Sequence, residues 1–128
     1  MKKLSVLFFF LLSLSCGKKD ATPALVEIIY EVSSNAHDPF DSVSYTDANA
    51  TTRTGMTDWK INGPGEYSIH AYVKKGAGAF LDAQHPNSDQ WKLRIKKLDG
   101  TVIAESGTIR KGTGNPSSYT GGCQIQIN

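Results

Sequence analysis

Apolar and polar residues alternate along most of this chain. Over residues 24–33, Val26, Ile28, Tyr30 and Val32 fall on one side, with Glu27 and Glu31 opposite. That is the period-two pattern of a strand with one buried face. Residues 41–47 repeat it, with Val43 and Tyr45 inward and Ser42, Ser44 and Thr46 outward. Residues 51–60 are threonine-rich, with Met56 and Trp59 as inward residues. Over 67–74, Tyr67, Ile69, Ala71 and Val73 oppose Ser68, His70, Tyr72 and Lys74. Over 91–97, Trp91, Leu93 and Ile95 oppose Lys92, Arg94 and Lys96. Asp99-Gly100 suits the positive φ angles of a two-residue hairpin turn, and residues 101–105 would be its returning strand. The last strand, 118–128, turns Tyr119, Gly121, Cys123, Ile125 and Ile127 inward and Gln124 and Gln126 outward.

Breakers separate these runs: 34–39, 47–50, and the strong Asn62-Gly63-Pro64-Gly65. Residues 107–116 read as a loop in which 108–110 can pair. Residues 75–90, with Gly76, Gly78 and Pro86, are the longest irregular stretch, with room for at most one helical turn. Seven short strands with turn signals every ten residues or so predict an all-β domain over 24–128, a β-sandwich or small barrel. A single immunoglobulin-like β-sandwich of about seven antiparallel strands is favoured, without the cysteine pair that marks antibody domains.

The first fifteen residues follow another rule. Lys2 and Lys3 precede residues 4–14, which are apolar except for Ser5 and Ser13, the layout of a secretory signal. Eleven helical residues reach about 16 Å, roughly half a bilayer's hydrocarbon thickness, which suits insertion and cleavage better than a permanent span. Ser15-Cys16 then resembles a bacterial lipoprotein signal, although Ser13 stands where that family usually has leucine. The resemblance implies cleavage before Cys16, a diacylglyceryl group on its thiol and an acylated amino terminus. Residues 1–15 are then the signal peptide, 16–23 the lipidated cysteine and tether, and 24–128 the folded domain, held to the membrane by two or more chains. Gly17, where inner-membrane retention would need aspartate, points by the same resemblance to an outer-membrane lipoprotein facing the periplasm or the cell surface. Lys18-Lys19-Asp20 partly resembles a surface-export signal but lacks its acidic run. The alternative is an ordinary secretory signal that leaves a soluble periplasmic protein.

Charge adds an exclusion. The full chain has 14 basic and 12 acidic side chains, and loss of Lys2 and Lys3 makes the two equal. A neutral domain lacks the clustered basic face that nucleic acid requires. About 110 residues remain after cleavage, enough for one domain that folds without staples. The other cysteine, Cys123, has no disulfide partner if Cys16 carries lipid.

The order of central features is similar to that of the mycobacterial MmpS membrane proteins and of lipoproteins with the same pattern. The carrying residues are Tyr30-Glu31-Val32, Val43-Ser44-Tyr45-Thr46-Asp47-Ala48, Trp59, Ser68-Ile69-His70-Ala71 and Leu93-Arg94-Ile95 ahead of Asp99-Gly100. The overlap runs from Val26 to about Val102. It departs at Asp58, where the family has proline, at Ser33, where it has glycine, and in an anchor of lipid instead of a transmembrane helix. The resemblance implies a small envelope β-sandwich that serves beside larger envelope machinery.

No residue pattern specifies catalysis, a cofactor or a metal. His37, His70 and His85 lack close ligand spacing, and turn chemistry explains His37, Asp38, Asp41, Asp47 and Asn49 better than metal binding does. No serine occupies a nucleophile elbow, and Gly107–Gly114 lacks the spacing of a phosphate loop. Two surfaces are binding candidates. If the strands at 67–74 and 91–97 are neighbours, His70, Tyr72, Lys74, Lys92, Arg94 and Lys96 form a basic strip suited to anionic lipid or an acidic partner, unless the lysines serve edge protection. The stretch 75–90 offers Phe80, Leu81 and His85 as a ligand loop. Trp59 and Trp91 are core residues before they are sugar platforms. The chain is therefore expected to be a lipid-anchored, non-catalytic binding or accessory module, its partners the membrane, through the N-terminal lipid, and an envelope protein complex; the alternative is an anchored ligand-binding or inhibitory domain for carbohydrate or a host enzyme, acting through 75–90.

Overall fold

The structure, a computed structural model, describes residues 22–48, 55–114 and 116–128. The signal segment, Cys16 and the tether up to residue 21 lie outside the described residues, as do residues 49–54, which span the end of the turn expected at 47–50 and the start of the strand expected over 51–60. Among the described residues are nine strands: β1 (Leu25–Ser34), β2 (Ser42–Tyr45), β3 (Thr57–Asp58), β4 (Gly65–Lys74), β5 (Gly78–His85), β6 (Trp91–Lys96), β7 (Val102–Glu105), β8 (Arg110–Lys111) and β9 (Tyr119–Gln126). All pairings are antiparallel. They form a four-stranded sheet ordered β4-β1-β6-β7 and a five-stranded sheet ordered β3-β2-β5-β9-β8. The protein is a β-sandwich.

Six of the expected strands lie where the alternation places them, and the threonine-rich seventh is represented by the two residues of β3. The difference is β5. Residues 75–90 are not a loop: Gly78–His85 is the middle strand of the five-stranded sheet, paired with β2 and β9. Its inward residues are Ala79, Leu81, Ala83 and His85, all buried. Two alanines and a histidine make a weak hydrophobic signal, and the flanking glycines and Pro86 look like loop punctuation. The glycines serve the turn into the strand. Gly76 adopts φ +86°, a conformation glycine takes without steric cost, and the Ala77 amide donates to the Lys74 carbonyl at 3.0 Å.

The core lies between the sheets. Ile28, Tyr30, Val32, Leu93 and Ile95 from one sheet and Val43, Leu81, Ala79, Ala83 and Cys123 from the other are buried. Tyr30 joins the layers: its hydroxyl donates to the Thr46 carbonyl at 2.8 Å, and its ring lies 5.2 Å from that of Tyr45. Burial raises the Tyr30 phenol well above its ordinary value, so it remains a donor. Trp91 closes one end of the core, with its indole N–H donating to the Ser88 carbonyl at 2.7 Å. Gly121 makes room for it, since a Cβ there would lie 2.8 Å from Ile109 and 3.0 Å from the Trp91 ring. Trp59 is partly buried and meets Tyr45 edge-on at 6.1 Å. Cys123 is a free thiol facing inward, and burial pushes it up to about 12.

Register fixes the two ends of the sandwich. Leu25 pairs with Lys74, Gly78 with Gln126 and Lys96 with Val102. The start of β1, the β4–β5 and β6–β7 turns and the end of β9 therefore share one end, which receives the chain from the N-terminal segment.

Candidate functional site

The outer face of the four-stranded sheet carries the basic residues singled out from sequence, but not as a strip. β4 and β6 are not neighbours; β1 runs between them and presents Glu27 and Glu31 outward. Glu31 lies in register with Arg94. It accepts from Arg94 at 2.9 Å and forms a second ion pair with Lys96. Glu105 of β7 accepts from Arg94 Nε at 2.8 Å and lies 3.3 Å from Lys92. His70 Nδ1 sits 3.0 Å from Glu27. Partial burial works to raise the Glu31 carboxyl, and the bonds from Lys96 and Arg94 outweigh it, holding it below the ordinary glutamate range. Hydrogen bonds from Arg94 and Lys92 lower Glu105 as well. The expected basic strip is thus corrected to a ladder of alternating charge that satisfies itself. Of its six residues, Lys74 and Tyr72 stand outside these pairs, at the end where β1 begins.

The ligand loop is corrected too. Leu81 and His85 have no exposure, and only Phe80 of the three looks outward, partly covered. His85 is a structural residue. Its Nδ1 accepts from the Asn87 and Ser88 amides at 3.1 and 3.0 Å, so the proton resides on Nε2, which donates to the Asp38 carbonyl at 3.0 Å. The ring also meets Phe40 edge-on at 4.9 Å. This histidine ties the β1–β2 connection to the end of β5 and is closed to a ligand.

The open surface is the outer face of the five-stranded sheet. β5 presents Phe80, Asp82 and Gln84 there, and the register sets them in rows with β2 and β9. Ser42, Gln84 and Thr120 form one row, Ser44, Asp82 and Gly122 the next, and Phe80 and Gln124 the third. Of these, Ser42, Asp82, Gln84, Thr120, Gly122 and Gln124, together with Gly107, Thr108 and Arg110, bound a groove of about 780 Å³. Its floor is low because Gly122, between the outward Thr120 and Gln124, brings no side chain. A Cβ at Gly122 would collide with Asp82 Oδ1, so the carboxylate lies across the space that the glycine leaves. Gln84 Nε2 donates to Ser118 Oγ at 3.0 Å, which fixes the amide's orientation. The groove offers a carboxylate, a guanidinium, amides and hydroxyls, an inventory for hydrogen-bonded recognition. No histidine lines it, and Cys123 contributes from beneath with its thiol in the core. Among the described residues no three His, Cys, Asp or Glu side chains converge as a metal site.

This face escaped sequence reading because β5 did. Its signal is present in Phe80-x-Asp82-x-Gln84, which alternates with small inward residues, and in the Gly121-Gly122 pair, which in a strand marks a close approach. No family model matches the chain, and neither the curated proteins nor the solved structures contain a match. No helix among the described residues is long and apolar enough to cross a membrane.

Proposed function

We propose that this chain is a lipid-anchored, non-catalytic binding module of the cell envelope, tethered through Cys16 and offering the groove over β2, β5 and β9 to a partner. One observation carries the reading: one sheet draws Lys92, Arg94, Lys96, Glu31 and Glu105 into internal ion pairs, while on the other Ser42, Asp82, Gln84, Thr120 and Gln124 line a groove over a glycine floor. The resemblance to the MmpS proteins favours an accessory role in an envelope complex, and the signal sequence favours the outer membrane. The test is co-purification after mild membrane solubilisation. Wild-type protein is expected to bring down a partner that Asp82→Asn with Gln84→Ala loses, and equal recovery by both removes the groove from the proposal. Radioactive palmitate should label the wild type and not Cys16→Ala; labelling of both rejects the anchor.

A second reading rests on Phe80, which lies in register with Gln124 on the same sheet face as the polar groove. An aromatic ring beside amides, hydroxyls and a carboxylate is suited to sugar rings, so the module would hold carbohydrate. Titration with a panel of neutral hexasaccharides separates the two: saturable shifts at Phe80 and Gln84 support the sugar reading, and none across the panel rejects it.

A further inference from the structure

The apolar side chains that the fold leaves exposed are not scattered. Leu25, Tyr72, Leu98 and Val102 are 53, 51, 55 and 46 % exposed, and they are the exposed large hydrophobic residues among those described. All four lie toward the same end. Leu25 begins β1 opposite Lys74, Tyr72 pairs with Glu27, Leu98 sits in the β6–β7 turn and Val102 opens β7 opposite Lys96. Lys74, Lys75 and Lys97 stand beside them, and no ion pair among the described residues engages these three. Three side-chain carboxylates of the region are bonded: Asp47 accepts from the Thr57 hydroxyl at 2.6 Å, Asp99 accepts from the Thr101 amide at 2.8 Å, and Glu27 faces His70. Between the sheets this end opens into a cleft of about 500 Å³ lined by Val26, Ile28, Ile103, Ile125 and Ile127.

We infer that this end is a membrane-contact face, on which the domain stands end-on against anionic phospholipid headgroups. Leu25, Tyr72 and Leu98 enter the interfacial region, and Lys74, Lys75 and Lys97 reach the phosphates. Two arguments select this occupant. The chain enters β1 at Leu25, nine residues after Cys16, a span of at most about 32 Å even when fully extended; an anchor at Cys16 therefore keeps this end within reach of the bilayer. Leucine and tyrosine interleaved with lysine also match an interface whose inner side is apolar and whose outer side is negative, because each lysine can lay its stem along apolar surface and keep its ammonium in the headgroups. Rim lysines near an anionic surface each contribute roughly a fivefold preference. In this orientation Ser42, Gln84 and Thr120, at the far end of the groove, point away from the membrane and remain open to a partner.

The inference rests on the lipid anchor, and its test separates the two. The full-length processed protein is reconstituted into phosphatidylethanolamine–phosphatidylglycerol vesicles with an environment-sensitive fluorophore at Leu98→Cys or, as a control at the opposite end, Ser88→Cys. Nitroxide-labelled lipids should quench position 98 and spare position 88. Reversing Lys74, Lys75 and Lys97 to glutamate should shift the docked-to-free ratio at least about fivefold per lysine. Equal quenching at the two positions overturns the contact face, and quenching at 98 that survives the triple reversal overturns the headgroup assignment. A chain without palmitate on Cys16 refutes the anchor instead. Cosedimentation with added phosphatidylglycerol vesicles then carries the test: loss in the triple variant supports the face, and no sedimentation of the wild type overturns it.

Discussion

The two outer faces of this sandwich are built from the same kinds of strand and do opposite things with polar residues. On the four-stranded sheet, Glu31 and Glu105 draw Lys92, Arg94 and Lys96 into a closed set of ion pairs. On the five-stranded sheet, Asp82, Gln84, Thr120 and Gln124 surround a floor cleared by glycine. A run of lysines and arginines draws the eye in a sequence, yet here those residues are the ones already occupied. The proposed recognition surface lies instead where a glycine leaves room.

The contrast can be broken in several ways. The harshest is Leu81→Ala, which removes a fully buried side chain from the middle of the five-stranded sheet and should cost about 2–5 kcal/mol in denaturant unfolding. A loss below about 0.5 kcal/mol would mean that 78–85 behaves as a surface loop. Gly121→Val, which drives a side chain into Ile109 and Trp91, should cost about 1–3 kcal/mol through overpacking, with a red-shifted tryptophan emission as the local sign.

Glu31→Gln tests the ladder. Its side chain is 15 % exposed, and removing the charge common to two ion pairs should cost about 1 kcal/mol, less at high salt. The pH dependence has a definite sign. The folded Glu31 and Glu105 carboxyls are lowered from 4.5, so their contribution is complete above the unfolded value and is lost as pH falls below 4.5 through the folded ones. The wild type should therefore lose stability across that acid range more steeply than Glu31→Gln, and parallel profiles would show that the Glu31 pairs contribute nothing. The gentlest change is Asp82→Asn, expected to move stability by no more than about 0.5 kcal/mol while removing partner recovery. A large loss of stability would turn the groove's carboxylate into a structural residue and erase the contrast between the faces.

Much of the fold was legible because antiparallel strands with one wet face write their orientation into every second residue. β1, β4, β6 and β9 show large apolar residues against charged or amide ones. β5 does not, because a central strand in this sandwich packs with Ala79, Ala83 and His85, side chains that carry little hydrophobic contrast. Neighbour order was not legible either. Nothing local to 67–74 or 91–97 says that β1 separates them, and that placement turned an expected basic strip into a neutral ladder. Most of the groove followed the same fate as β5, since its side chains come together only once β2, β5 and β9 are paired.

The position of β1 has a mechanical consequence. It is the strand the tether enters, and it lies inside its sheet, hydrogen-bonded to β4 along all ten residues and to β6 from Ile29 to Ser34. A pull on the chain ahead of Leu25 therefore loads two ladders in shear, many bonds at once, instead of peeling an edge strand one bond at a time. If the chain is anchored ahead of Leu25 as proposed, drag on the domain would be borne by a strand bonded on both sides, and the sandwich would hold its shape under that load.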